Sequence, residues 1–91
     1  MLPGRILRRE LKARRLSANA LALALRTPSG RITDIFNEKR TVTPDTALRL
    51  GRYFGQNPRF WLNLQSIHDL AATEERIGAT LDAEVIPAKA S

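Results

Sequence analysis

The chain has 91 residues, of which 43% are hydrophobic, and its formal net charge at pH 7 is +6. This length suits a single compact core, and the hydrophobic content argues against a disordered chain. The longest uninterrupted apolar run, residues 20–25, is far too short to cross a bilayer. The sequence contains no cysteine, which excludes disulfides and thiolate metal sites and is typical of cytoplasmic proteins. We therefore expect a cytoplasmic protein without a signal peptide or membrane contact.

Charge is distributed unevenly along the chain. Residues 1–59 contain 13 basic and 4 acidic side chains, whereas residues 60–91 contain 2 basic and 5 acidic ones. The first part should be attracted to a polyanion such as nucleic acid, and the second part should be repelled by it. Charge alone leaves open a basic surface that is merely solvated.

The chain up to residue 40 predicts three short helices and no strand. Pro3 is typical of a first helical turn, and Ser17 is a good N-cap because its hydroxyl can accept from a free backbone amide. Thr27-Pro28 should end the second helix and leave only two or three residues before the third. The predicted ranges are 3 to about 15, 17 to about 25, and 29 to about 37.

Two further helices follow. Thr43-Pro44 combines a capping residue with proline at the first helical position, where its missing amide costs nothing. Asn57-Pro58 repeats the pattern and begins a fifth helix, which we expect to end within residues 70–77. Residues 79–91 should form a loosely ordered tail. The predicted organisation is a domain over residues 1–78 followed by this tail.

Two short helices joined by a tight turn in a basic domain are typical of a helix-turn-helix, here over residues 17–37. Ile32, Ile35 and Phe36 share one side of the third helix and should face the core. The opposite side is polar and open, so that a major groove about 12 Å wide could accept it. The residues expected on or beside this side are Ser29, Gly30, Arg31, Thr33, Asp34 and Asn37.

Several of these residues have chemistry suited to base edges. Arg31 can donate two hydrogen bonds to guanine, Thr33 can present its methyl group to thymine, and Asp34 can accept from cytosine. Gly30 would let the backbone approach DNA closely. A polar helix face that is simply solvated is the alternative.

Other residues are candidates for phosphate contacts. Lys39 and Arg40 follow the third helix and could fix the register of the protein on DNA without reading sequence. The free amides at the start of the second helix, near Ser17 and Asn19, form a second possible anion site.

Catalytic and metal sites are poorly supported. His68 is the only histidine, and the carboxylates of Asp69, Glu74 and Glu75 lack an evident apolar pocket that would raise a pKa for acid–base chemistry. His68 is more readily explained as a surface or interface residue. We therefore expect no enzymatic activity, no metal and no cofactor.

The sequence resembles the HigA-type antitoxins of HigB–HigA toxin–antitoxin modules, which belong to the wider Cro/CI-like (Xre) helix-turn-helix group. The resemblance extends from Leu2 to Val85. Its segments are L-S-A-N-A-L-A (16–22), R-I-T-D-I (31–35), N-E-K-R (37–40), T-P-D-T-A-L-R-L (43–50) and P-R-F-W-L-N-L-Q (58–65). The F-W-L-N-L-Q stretch is the most specific of them. The family usually has glycine at the positions of Arg26 and Glu38, so these turns are either strained, by about 1 kcal/mol each, or closed differently.

The resemblance implies an all-α, five-helix, lambda-repressor-like helix-turn-helix domain. It further implies a homodimer that binds a palindromic operator in double-stranded DNA, represses its own operon and neutralises a HigB-like toxin that cleaves RNA. Base-reading positions carried over are Ser29, Gly30, Arg31, Thr33 and Asp34, and phosphate-binding ones are Lys39 and Arg40. A stand-alone repressor without a toxin is the alternative function, and an interaction module that no longer binds DNA is a third.

The acidic, apolar part of the chain from Phe60 onward offers the expected dimer contact, because it lies away from the basic DNA-binding part. Phe60 and Trp61 themselves are expected to anchor the core, with a role at an interface as the less favoured alternative. A toxin that holds RNA should be basic, so charge favours the fifth helix and tail as its binding surface. A patch around Glu10 on the first helix remains an alternative.

Overall fold

The computed structural model describes residues 2–88. In this range the chain forms five helices and no strand, which confirms the all-α prediction. The helices are α1 (Pro3–Arg14), α2 (Ala18–Leu25), α3 (Ser29–Phe36), α4 (Pro44–Phe54) and α5 (Arg59–Glu84). Every helix in the described range is too short or too polar to cross a bilayer.

A single hydrophobic core joins the five helices and the loop before α4. Ile32 and Ile35 are buried as predicted, and Phe36 packs against the core from its edge. Trp61 anchors α5, since its ring is fully buried and its indole nitrogen donates to Gln56 Oε1 at 3.0 Å. The buried hydrophobic residues are Leu7, Leu11, Leu21, Ala22, Leu25, Ile32, Ile35, Val42, Ala47, Leu50 and Trp61.

The predicted capping residues form the expected hydrogen bonds. The Ser17 hydroxyl accepts from the amide of Ala20 at 3.0 Å, and the Thr43 hydroxyl accepts from the amide of Thr46 at 3.4 Å. Asn57 Oδ1 accepts from the amide of the first residue of α5 at 2.9 Å. The starts of α2, α4 and α5 are therefore determined by local sequence.

Among the described residues, three non-glycine residues adopt the left-handed conformation. Arg15, Arg26 and Glu38 have φ angles of 53°, 60° and 62° and lie just beyond the ends of α1, α2 and α3. Of the two alternatives for the turns at Arg26 and Glu38, the structure therefore has the strained one. Each such residue costs about 1 kcal/mol relative to glycine.

Helix α5 is longer than the sequence suggested. It continues to Glu84, so the prediction that it ends within residues 70–77 is wrong, and residues 79–84 belong to the helix rather than to a tail. No proline follows Pro58 until Pro87, and Gly78 costs a long helix only about 1 kcal/mol. Residues 85–88 are outside the helix, and the rest of the predicted tail, 89–91, lies beyond the described residues.

Candidate nucleic-acid interface

Helices α2 and α3 form the predicted helix-turn-helix. The turn between them spans residues 26–28 and is closed by a hydrogen bond from the amide of Thr27 to the carbonyl of Ala22 at 3.0 Å. Leu21 and Leu25 of α2 share the core with Ile32 and Ile35 of α3. The buried sides of both helices are thereby fixed, and the opposite side of α3 faces outward.

The outward side of α3 is open and polar. Ser29, Gly30 and Thr33 are exposed, and Arg31 and Asp34 are partly exposed. A Cβ atom added at Gly30 would meet nothing within 4 Å, so no contact within the chain requires glycine there. Another molecule could therefore approach the backbone at this point.

Two ion pairs flank this side of α3. Arg31 Nη1 lies 3.7 Å from Asp45 Oδ1 of α4, and Asp34 Oδ2 lies 3.7 Å from Arg40 Nε in the following loop. Both distances are too long for hydrogen bonds. Each carboxylate partly offsets the charge of its arginine, while the N–H groups of Arg31 stay available to donate hydrogen bonds to another molecule.

The candidate phosphate-binding residues lie at two places beside α3. Ser17 and Asn19 are exposed at the start of α2, and Lys39 and Arg40 are exposed in the loop between α3 and α4. This loop is attached to α5, because Gln65 Oε1 accepts from the amide of Val42 at 3.0 Å. The core therefore holds in place the backbone that carries both basic side chains.

Arg8 has a supporting role that the sequence did not reveal. Its Nε donates to the carbonyl of Phe36 at 3.0 Å, and its Nη2 donates to Asn37 Oδ1 at 3.2 Å. The guanidinium group also lies 4.4 Å from the centre of the Phe36 ring. The Arg8 cation thus satisfies the carbonyl of Phe36 at the end of α3 and fixes the side chain of the candidate Asn37. Arg8 is 28 positions from Phe36 and 29 from Asn37 in the sequence, so no local pattern could indicate these contacts.

The outer surface of α5 exposes large apolar side chains. Ile67 is 62% exposed, Leu70 is 69% exposed and Leu81 is 41% exposed.

Phe60 is also 40% exposed, and its ring packs edge-on against that of Trp61 with the two ring centres 5.3 Å apart. The prediction that Phe60 anchors the core is therefore wrong. The prediction for Trp61 is confirmed. Phe60 precedes Trp61 on a helix whose buried stripe is narrow, and only one of the two rings can point inward.

His68 and the acidic residues are not brought together as a metal site. Within residues 2–88, no group of three histidine, cysteine or acidic residues could hold a metal ion. His68 is partly buried and lines a surface pocket of about 240 Å³ together with Gly4, Lys39 and Gln65.

Comparison with known proteins finds related sequences and related structures. No protein-family model matches the chain. Virulence-associated protein I of Dichelobacter nodosus is 53% identical over 74 residues, which cover 80% of this chain and 68% of that protein.

Solved structures are similar over nearly the whole chain. An addiction module antidote protein of the HigA family from Coxiella burnetii is 44% identical, with a TM-score of 0.92 over 97% of both chains. The Pseudomonas aeruginosa antitoxin HigA, solved with the higBA promoter, is 40% identical, with a TM-score of 0.93 over 98% of both chains. The similarity therefore includes α5 as well as the helix-turn-helix.

Proposed function

The chain belongs to the HigA family of antitoxins, and we propose that it binds operator DNA as a homodimer, represses its own operon and neutralises a ribonuclease toxin. It acts by binding and not as an enzyme. The observation that carries the DNA-binding role is the open polar side of α3, opposite buried Ile32 and Ile35, in the more basic part of the chain. The structure of the P. aeruginosa relative with its promoter supports the same role.

We place α3 in the major groove, with its outward side against the base edges. Arg31 donates to guanine, Thr33 contacts the methyl group of thymine and Asp34 accepts from cytosine. Ser29 and Gly30 stand at the start of the helix, where the absence of a side chain at Gly30 lets the backbone come close to the DNA. The exposure of these residues supports this placement.

The phosphates on either side of the groove are bound by residues of α2 and of the loop after α3. The Ser17 hydroxyl accepts from a backbone amide and can still donate its own hydrogen to phosphate. Asn19 is exposed beside Ser17, and Lys39 and Arg40 are exposed in the loop after α3, across the groove. Asn37 uses its oxygen to accept from Arg8, which leaves its amide donors for the DNA.

The dimer forms through α5. Its exposed apolar residues Ile67, Leu70 and Leu81 recur at roughly helical spacing, and an exposed apolar stripe of this kind marks an interface. A two-fold symmetric dimer presents two copies of α3, which matches a palindromic operator.

The toxin contact is placed on the acidic part of the chain from residue 60 onward. Residues 60–91 contain more acidic than basic side chains, so they attract a basic ribonuclease. The alternative on α1 is weaker, because Glu10 is already paired with Arg14. Dimer and toxin must then occupy different stretches or sides of α5.

The test combines DNA binding with co-expression. The full chain is titrated against a labelled duplex from the region upstream of its own gene and against a scrambled duplex of equal length. Co-expression with the adjacent small gene should rescue cells from arrest by that gene product, and the two proteins should co-purify. Equal affinity for both duplexes would refute the DNA-binding role. Specific DNA binding without a toxic neighbour would leave a stand-alone repressor.

A further inference from the structure

Asp45, in the first turn of α4, lies beside Arg31, and we propose that its carboxylate determines how strongly the protein prefers its operator to other DNA. This assignment rests on the proposed DNA-binding role of α3. Asp45 is 3.7 Å from Arg31 Nη1, and its side chain is 60% exposed.

A second arginine holds Asp45 in place. Arg49 Nε donates to Asp45 Oδ1 at 2.8 Å, and Arg49 Nη1 donates to the carbonyl of Leu25 at 2.8 Å. The carboxylate is thus attached through Arg49 to the end of α2. The Asp45 carboxylate therefore lies close to Arg31, while it accepts its hydrogen bond from Arg49 of α4.

This arrangement offsets the charge of Arg31 without using its donors. At 3.7 Å the pair is beyond hydrogen-bond distance, but the electrostatic attraction between the two charges persists. A phosphate attracts arginine through charge and regardless of sequence. A guanine edge is recognised through two directed hydrogen bonds. Asp45 therefore weakens the attraction of Arg31 to phosphate more than its hydrogen bonding to a base.

The consequence concerns specificity. A repressor competes with a large excess of non-specific sites, so the ratio of the two affinities decides how well the operator is occupied. A negative charge beside the base-reading arginine lowers the non-specific affinity and raises this ratio.

The experiment uses Asp45→Asn in the full chain. Asparagine has nearly the same shape and keeps an oxygen that can accept from Arg49. Affinities for an upstream-region duplex and a scrambled duplex of equal length are measured by fluorescence anisotropy at several salt concentrations. Affinity for the scrambled duplex should rise roughly three- to eightfold at about 0.1 M salt, and its salt slope should steepen by up to about 0.9, the contribution of one phosphate contact. Affinity for the upstream duplex should change by less than about twofold, because Arg31 is engaged there by a base.

Two controls separate this effect from net charge. Glu10→Gln removes the same charge from the Glu10–Arg14 ion pair on α1, whose members are four residues apart like Asp45 and Arg49. This variant should alter both affinities by the same factor. The Arg31→Ala/Asp45→Asn double variant should bind scrambled DNA no more tightly than Arg31→Ala alone. Circular dichroism melts establish that each variant is folded.

Two results would overturn the assignment of Asp45 alone: an unchanged affinity ratio in Asp45→Asn, or a gain on scrambled DNA that persists without Arg31. A wild-type chain that binds both duplexes equally would instead overturn the proposed function, and the assignment with it.

Discussion

Gly51, inside α4, packs against the turn that leads into α5, and its replacement by alanine should destabilise the fold. A Cβ atom at this position would lie 2.7 Å from the carbonyl oxygen of Gln56 and 3.2 Å from the nitrogen of Pro58. Both contacts are with backbone, which cannot move aside by rotating a side chain. The α4–α5 turn would have to shift, and with it the segment that leads to buried Trp61.

The magnitude follows from two opposing contributions. Alanine favours a helix interior over glycine by about 1 kcal/mol. Overpacking of a filled site costs about 1–3 kcal/mol, and the upper part of that range applies because the clashing atoms are backbone. Gly51→Ala should therefore lower the free energy of unfolding by about 1–2 kcal/mol, or Tm by roughly 5–15 °C for a domain of this size.

Gly78→Ala is the matched control on α5. The nearest atom to its added Cβ is Glu74 Cγ at 3.9 Å, an ordinary contact, so only the helix-propensity gain of about 1 kcal/mol remains. Urea unfolding followed by far-UV circular dichroism, at one protein concentration because of the proposed dimer, measures both variants. If Gly51→Ala proves as stable as Gly78→Ala, the steric reasoning is refuted.

Two further predictions concern the turns and the dimer. Arg26→Gly and Glu38→Gly should each raise the free energy of unfolding by up to about 1 kcal/mol, because glycine adopts their left-handed conformation without strain; an unchanged or lower stability in urea unfolding would contradict this. Leu70→Asp should shift the sedimentation coefficient to that of a monomer, whereas Leu23→Asp, at a position equally exposed at 69% but on α2, should leave the dimer intact. Dissociation by both or by neither would place the dimer contact elsewhere.

The features predicted from sequence are those set by local chemistry. Ser17, Thr43 and Asn57 begin their helices through side chains that reach two or three residues ahead. The spacing of Ile32 and Ile35 predicted which side of α3 is buried, and hence which side is open.

The features that sequence did not predict depend on packing between distant segments. Arg8 reaches the end of α3, and Gln65 holds the loop before α4, in each case across more than twenty residues. The exposed position of Phe60 depends on how α5 is rotated about Trp61, which neighbouring aromatic residues alone cannot determine. The end of α5 at Glu84 was not predicted either, because between Pro58 and Pro87 the sequence has no proline, and the single interior Gly78 costs a long helix only about 1 kcal/mol.

The central claim is that the outward side of α3 reads DNA sequence, and paired titrations of Arg31→Ala and Lys39→Ala test it most directly. On the upstream duplex, Arg31→Ala should cost about 1–3 kcal/mol of binding free energy, with little loss on the scrambled duplex. Lys39→Ala should weaken binding to both duplexes alike and reduce the salt slope by about one unit. Equal losses on both duplexes for Arg31→Ala, and likewise for Thr33→Ala and Asp34→Ala, would contradict the claim that α3 is the reading helix.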